Sequence, residues 1–489
     1  MKIVYRLKKN YSYVFIILLT VLYLVFLSDN CSSDSYSNAY SSLYAQDMFK
    51  PHHLLYCLFG HIVLLLFGFT AVEPITLLQI TNALFAGGCL LVARRMIKRV
   101  NRNETFLSFA ILACGTCFGF ARFAIDNECY IIPVFFNLLA LYYMQVFLVK
   151  NTVSRLVKAS VSIVAACLFH QIAVLVWICL FVVLIANKNG KYLLVFLSIS
   201  MIVPLAYWIA SYGVTGSANV SSLMGFVLHD YLDGTAQMPQ LKQVVMLTLA
   251  SLFRTFFQMH GYVFEIARLN PLAFTIICLV VIGLVVLGMI RFAKAKKRSL
   301  ILFHDRRFVR LLWLVLVFNI AFAAFSNGNA EFMVMIPFVA ILIFSYCYTN
   351  QSVLLYLSCA MLIWNVPFGL YPYAFTRMHC NERTADLMRL HPEAVYVLME
   401  KPYVENIYLY KYSDEDMPLM YNAHKYDSVM FKEHKAQGRE VITDVIGAES
   451  PLSRASMVTE IKFRFDGIKK EKIFFRFHFL GIKRELSLL

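Results

Sequence analysis

The feature that most constrains this chain is a series of long apolar runs. Residues 13–27, 75–93, 131–149, 271–290 and 332–348 approach the roughly 20 apolar residues that carry a helix across a hydrocarbon core. In lipid every backbone amide must be satisfied within the protein, so only helices and closed barrels span. These runs lack the period-2 alternation of barrel strands. The expected fold class is an α-helical polytopic membrane protein. Composition agrees, with 60% of residues hydrophobic and 15% charged, against about half and about a quarter in a soluble domain. The first run follows a basic start (Lys2, Arg6, Lys8, Lys9) but no small-residue cleavage site follows it, so it reads as a retained span. The cysteines sit mostly inside apolar runs and form neither a metal-ligand spacing nor a disulfide framework.

The formal charge of +16 would suit a nucleic-acid partner were it not confined to short clusters beside apolar runs. Lys2–Lys9, Arg94–Arg102, the stretch 150–158, Lys188–Lys191 and the stretch 291–310 have only Asp305 within them and Glu104 beside them as acids. The positive-inside rule places all of them in the cytoplasm, with the N-terminus, and leaves no nucleic-acid partner. Parity then requires that one of the runs 54–69 and 75–93 does not cross. Residues 54–69, interrupted by Gly60, His61 and Gly68, are assigned to a helix in the outer interface. The segment 241–265, which carries Arg254 and Gln258, is read as a second such helix by the same parity. About eleven crossings result: the first two, near 13–27 and 75–93, then 105–120, 130–149, 158–170, 172–187, 192–210, 271–290, 310–325, 332–348 and 352–366.

The transmembrane domain is thus expected over residues 1–375, with a first outer loop and interfacial helix at 28–70 and a second at 211–268. From about Thr376 the charges of both signs are interspersed, and residues 406–412, 462–465 and 472–478 alternate. A small α/β domain is expected over 376–489, outside the membrane, with 474–480 apolar enough to dock on the bundle or the lipid.

Ionisable groups at a membrane face are costly and mark function. The expected outer face collects Asp29, Asp34, Asp47, Lys50, His52 and His53 in the first loop, Arg122, Asp126 and Glu128 in a short turn, and His170, Arg254, Arg268 and Glu331 beyond. A carboxylate there can deprotonate an acceptor hydroxyl while Arg, Lys or a metal ion stabilises a departing phosphate. Each residue also has a plainer reading. Loop acids are solvated, Arg122 can pair with its neighbouring acids, arginines snorkel to headgroups, and His170 can be a hydrogen-bonded bundle residue. Adjacent histidines on one helix diverge by about 100° and rarely ligate one ion.

The segment Phe49-Lys50-Pro51-His52-His53-Leu54-Leu55-Tyr56, followed by Leu66-Phe67-Gly68 and a span closing in Arg94-Arg95, resembles the GT-C membrane glycosyltransferases, in the aminoarabinose-transferase and protein O-mannosyltransferase branch. In that family an acidic motif in the first outer loop precedes a Lys-Pro-Pro-Leu-like interfacial helix and a Phe-Gly turn. Asp34-Ser35-Tyr36 falls where the acidic motif would lie, with Ser35 in place of the usual second acid and Pro51-His52 in place of Pro-Pro. Asp126 and Glu128 resemble the family's second acidic position. The resemblance covers about the first 150 residues.

The resemblance implies transfer of a sugar from a polyprenyl-phosphate carrier to a glycan, lipid or protein acceptor at the outer face of a bacterial-type inner membrane. Asp34, Asp126 and Glu128 would be catalytic. Lys50, His52, His53, Arg122, His170, Arg254, Arg268 and Glu331 would bind substrate. A divalent ion, Mg or Mn, is a candidate cofactor with no ligand set assigned. Membrane lipids are the remaining partners. A non-catalytic scaffold and an envelope polymerase or ligase stay open as alternatives. A transporter fits less well, since no internal repeat is visible and the charges lie at span ends.

Overall fold

The computed structural model describes residues 11–489 except 233–240, 260–261, 299–302, 414–415, 450–454, 464, 466 and 481. The basic start at Lys2–Lys9 lies outside the described residues. Among those described, seven helices are long and apolar enough to cross a membrane: Pro74–Lys98, Ile131–Val149, Gly190–Thr215, Pro271–Ala293, His304–Phe325, Ala330–Cys347 and Gln351–Phe375. An eighth results if Glu104–Thr116 and Phe118–Ala124, bent by 70°, form one span. The other three expected crossings fall on shorter helices, Ser12–Val25 with 14 residues, Val153–Phe169 with 17, and Gln171–Ile185. At 1.5 Å per residue, 14 residues reach only about 21 Å. The count by length and composition is therefore seven or eight. The chain is a multi-pass helical membrane protein. Pro271–Ala293, whose apolar window is only 11% buried, presents most of its surface outward and packs along Gln351–Asn365.

The expected non-crossing segment is a 12-residue helix, Tyr56–Phe67, about 18 Å long. Leu65, Leu66, Phe67 and Phe69 at its end are more than half exposed, as an apolar helix end seated in lipid requires. The second, at 241–265, is two helices, Leu241–Phe256 and Tyr262–Leu269. The first loop is not irregular. It contains the helix Ser33–Tyr44, which buries Ser35, Asn38, Ser41 and Ser42 alongside Tyr36 and Ala39. Such a face has no apolar period. It is buried because its polar groups find partners, among them Ser42 Oγ on the Cys57 carbonyl at 3.2 Å.

Beyond the bundle, five strands form a sheet in the order β2-β1-β3-β5-β4, with β1 Val395–Leu398, β2 Met420–Asn422, β3 Val441–Thr443, β4 Lys472–Phe479 and β5 Ile482–Leu488. β1 pairs parallel with β2 and β3, while β5 pairs antiparallel with β3 and β4. Of the three alternating runs, 472–478 is a strand, while 462–463 end the helix Ala455–Phe463 and residue 464 lies outside the described residues. Residues 406–412 belong to the helix Lys401–Tyr412, whose Val404, Ile407, Tyr408 and Tyr410 recur at helical spacing and are buried. This unit sits on the loop helix. Asn406 Nδ2 donates to the Ser33 carbonyl at 3.2 Å, and Tyr36 donates to Glu382 at 2.6 Å. Phe475 is buried in the same apolar cluster as Tyr36 and Ala39, so the end of the chain does dock on the bundle.

Candidate active site

The site is organised by the turn Asp126–Glu128 between the helices Phe118–Ala124 and Ile131–Val149. Three uncharged side chains hold it. Asn82, on the helix Pro74–Lys98, donates to the carbonyls of Asp126 (2.7 Å) and Glu128 (2.8 Å). Tyr56 donates to Asn127 Oδ1 at 2.9 Å, and Asn127 Nδ2 reaches the Ser35 carbonyl at 2.9 Å. The N-terminus of the helix Ser33–Tyr44 faces the turn. Its cap Ser32 accepts from the Ser35 amide at 3.0 Å and donates to Glu128 Oε1 at 2.5 Å, while Ser35 Oγ donates to Asp126 Oδ1 at 2.9 Å. Ser35, at the position where the resemblance would put a second acid, is therefore a donor to the acidic turn. A carboxylate there would face Asp126 directly.

Two cavities meet beside this turn. The larger, about 580 Å³, is lined by Asp34, Asn38, His52, His53, His170 and Tyr231, with Tyr130 and Phe332 as aromatic wall. The smaller, about 300 Å³, is lined by Arg122, Arg254, Glu128, Ser251 and Tyr373. Asn329 and Glu331 belong to the walls of both. Glu331 is held there by Tyr130, whose hydroxyl donates to Oε2 at 2.8 Å, and by Asn329 Nδ2 at 3.2 Å. The preceding Gly328 has φ +73°, and a Cβ on it would lie 2.5 Å from the Leu247 carbonyl carbon, so only glycine lets this turn approach the helix Leu241–Phe256.

The two cavities differ in charge. In the smaller one Arg122 pairs with Asp126 at 2.7 Å and stacks over the Tyr373 ring at 4.0 Å, with Arg254 in the same wall. Burial, then the charges of Asp34, Asp126 and Glu331, hold the Glu128 carboxyl well above the usual range. In the larger cavity two imidazoles are held toward the neutral form. Burial and then His52 push His170 down to about 3, and burial, His170, Lys50 and His52 hold His53 well below its ordinary value.

The donor set does not fit a resident divalent ion. Among the described residues no three His, Cys, Asp or Glu side chains converge as ligands. Asp126 already accepts from Ser35, the Asn127 amide, the Ser32 amide and Arg122. Glu331 is bonded as above, and a hydroxyl occupies Glu128 Oε1. A Mg or Mn site requires several free oxygens around one point.

Most of the expected residues thus come together: Asp34, His52, His53 and His170 in one cavity, Arg122, Glu128 and Arg254 in the other, Glu331 in both, and Asp126 beneath them. His52 and His53 precede the helix that begins at Tyr56, so helical divergence does not apply and both line one cavity. Lys50 stands behind this wall, with Nζ 2.8 Å from Ser37 Oγ and 3.3 Å from Asn38 Oδ1. Arg268 is apart. It is 68% exposed, pairs with Glu265 at 2.8 Å and lines neither cavity. Asp29 and Asp47 also stand outside both cavities, Asp29 lining a third one beside the sheet unit. Sequence reasoning missed Ser32, Asn38 and Asn82. The loop helix could have been found from its cap, Ser32, but nothing local marks the two asparagines.

No family model and no curated protein matches the chain. Solved structures do. The crystal structure of the oligosaccharyltransferase of Archaeoglobus fulgidus, in complex with Zn and sulfate, aligns over 97% of this chain and 72% of its own, at TM-score 0.54 and 12% identity. Its apo form aligns over 90% and 70%, at TM-score 0.51 and 12% identity. ArnT from Cupriavidus metallidurans, bound to undecaprenyl phosphate, aligns over 98% of each chain at TM-score 0.46 and 9% identity, too loose a superposition to argue from. The fold is like that of the archaeal oligosaccharyltransferase.

Proposed function

We propose that this protein is a GT-C-type glycosyltransferase that moves a sugar from a polyprenyl-phosphate carrier to a hydroxyl acceptor at the outer face of a bacterial-type inner membrane. The observation that carries the reading is the pair of cavities sharing Glu331 and Asn329, one walled by arginines and the other by a carboxylate and imidazoles. The arginine-walled cavity suits the carrier's phosphate, since guanidinium groups bind phosphate oxygens in pairs and in a site shielded from water. The larger cavity suits the acceptor.

The reaction is a single inverting displacement. The acceptor oxygen bonds to the anomeric carbon as the bond from that carbon to the phosphate oxygen breaks on the opposite face. Asp34 takes the acceptor's proton, and the polyprenyl phosphate leaves with its charge stabilised by Arg122 and Arg254. Glu128, held toward its protonated form, can donate to the departing phosphate or orient the acceptor. Asp126 fixes Arg122. Lys50 acts through Asn38 rather than on phosphate. The carboxylates do not form an ion's ligand set among the described residues, and each step falls to a side chain of the protein. The fold match to an oligosaccharyltransferase supports the class of reaction, and the positive-inside pattern supports the membrane and its orientation. The aqueous sheet unit, resting on the loop helix, is placed to help recognise the acceptor.

The test is transfer by purified protein from radiolabelled polyprenyl-phosphate sugars into a membrane extract, comparing wild type with Asp34→Asn. Transfer that collapses in the variant is expected. Absence of transfer by wild type to any acceptor pool would favour a scaffold, and equal transfer by both would remove Asp34 from the mechanism.

A further inference from the structure

The helix Lys401–Tyr412 of the sheet unit carries two stripes. Val404, Ile407 and Tyr408 are buried in one apolar cluster with Tyr396 and Leu398 of β1. Tyr403, Asn406 and Tyr410 recur at spacings of three and four, which at 100° per residue puts them within about 60° of one another around the axis. This second stripe meets the bundle. Tyr410 donates to Glu73 at 3.1 Å and accepts from the Ile75 amide at 3.2 Å, at the first turn of the helix Pro74–Lys98. Asn406 Nδ2 lies 3.0 Å from Ser33 Oγ and also reaches the Ser33 carbonyl. The Tyr403 hydroxyl donates to the Cys31 carbonyl. A hydroxyl has one proton, so His379 Nε2, 2.8 Å from the same oxygen, donates to it.

These bonds fall on the start of the loop helix. The residues before it are fixed from the bundle, where Gln79 Nε2 donates to the Ser28 carbonyl at 2.8 Å and Asn30 Nδ2 donates to the Tyr373 carbonyl at 2.8 Å. The next three residues enter the helix, with Tyr403 and Asn406 on one side and the acidic turn on the other. Ser32, between the clamped Cys31 and Ser33, is the cap that reaches Glu128, and its amide reaches Asp126 Oδ2 at 3.3 Å. Asp34 follows at once, on the wall of the larger cavity. A shift of this entry would displace Asp34 and part Ser32 and Ser35 from the turn together. A displacement of about 1 Å near the reacting atoms can cost about 10²-fold in rate.

We propose that Tyr403 and Asn406 are positioning residues for the transfer step. Through them the sheet unit fixes the entry to the helix Ser33–Tyr44, and with it the placing of Asp34 against the acidic turn. The effect on rate rests on the transferase reading, whereas the coupling of the sheet unit to the turn does not.

The full chain in lipid nanodiscs tests this with three variants. Tyr403→Phe removes one oxygen, and Asn406→Leu removes the amide at similar size. Thr443→Val is the control, since it deletes a buried bond inside the sheet unit, from Thr443 Oγ1 to the Val397 carbonyl at 2.7 Å, in a strand that lies between β1 and β5. Hydrogen–deuterium exchange reads the amides of residues 31–36 and of the turn 126–128. Tyr403→Phe and Asn406→Leu are expected to speed exchange several-fold in both segments together, although the bonds they lose are made to residues 31 and 33. Thr443→Val should leave the turn as it is. In the transfer assay kcat should fall about tenfold in the first two variants while the KM for the carrier stays within about twofold, because Arg122 and Arg254 stand on other helices. Unchanged exchange at the turn, an equal rise in the control, an unchanged kcat, or a loss carried by KM alone overturns the proposal. Should Asn406→Leu fail to fold, Tyr403→Phe carries the comparison. Coupled exchange in a protein that transfers nothing would keep the clamp and sink the transferase, and transfer at the wild-type rate by variants with unchanged exchange would do the reverse.

Discussion

Two buried arginine–carboxylate pairs stand in different parts of this bundle and do different work. Arg94, 2% exposed, lies 3.0 Å from Glu104, donates from Nε to Ser12 Oγ at 2.6 Å and stacks on the Tyr13 ring at 3.8 Å. Ser12 passes the bond on to Glu104 at 2.5 Å, which closes the ring of partners and ties the first helix to the helices Pro74–Lys98 and Glu104–Thr116. Arg122 and Asp126 make an equally close pair at 2.7 Å, yet this one opens on a cavity with Glu128, Arg254 and Glu331 around it. The first pair is a lock and the second borders a cavity. An Arg–acid pair is therefore judged by what surrounds it, because a closed set of partners leaves no charge for a ligand to answer.

The largest effect that would sharpen this contrast is on turnover. Asp34→Asn should lower transfer by about 10²–10⁴-fold, the usual contribution of a positioned base, with the melting temperature in nanodiscs unchanged. Arg94→Met should do the opposite. Leaving the part-buried Glu104 with only Ser12 and, at 3.7 Å, Lys98 should cost about 1–3 kcal/mol of stability, read as a lower melting temperature, while the transfer rate per folded molecule holds. If Arg94→Met lost turnover without losing stability, the division between lock and site would be wrong.

The buried neutral imidazoles give a pH signature. His170 has a folded pKa of about 3 against an ordinary value of 6.5, so between these values the unfolded chain binds more protons than the folded one. Stability is then fully present above about pH 6.5 and falls as pH drops toward 3. Thermal melts across that range should show the fall, and His170→Gln should flatten it. Smaller again is Glu128→Gln. It removes a charge that burial and three neighbouring acids disfavour, so stability should rise by on the order of 1 kcal/mol while transfer falls. Smallest is Arg268→Ala, which should leave transfer intact and change stability by less than about 1 kcal/mol, as an exposed pair does. A clear loss of transfer there would bring Arg268 back into the site.

Much of the bundle was legible because the hydrocarbon core imposes a length and a polarity on any helix that crosses it. The segment that parity set apart is a helix of 12 residues, Tyr56–Phe67, one of the shorter apolar helices. The candidate site was legible only through its charges, since Asp34, Arg122, Glu128 and Glu331 stand out against an apolar background. Ser32, Asn38 and Asn82 carry no charge and follow no period. Their roles depend on residues 96, 12 and 44 or more positions away along the chain. The helix Ser33–Tyr44 escaped for the same reason, because satisfied hydrogen bonds rather than an apolar stripe bury it.

The sequence by itself determined that this is a helical membrane protein and that acids and cations gather near a few span ends. Those are consequences of transfer free energy, which acts residue by residue. Which arginine is a lock and which lines a cavity was decided only by the tertiary structure, as was the placing of Arg268 apart from the rest. So was the contact of Tyr403 and Asn406 with the start of the loop helix. Hydrogen-bond direction and mutual burial are properties of pairs, and pairs exist only once the chain has folded.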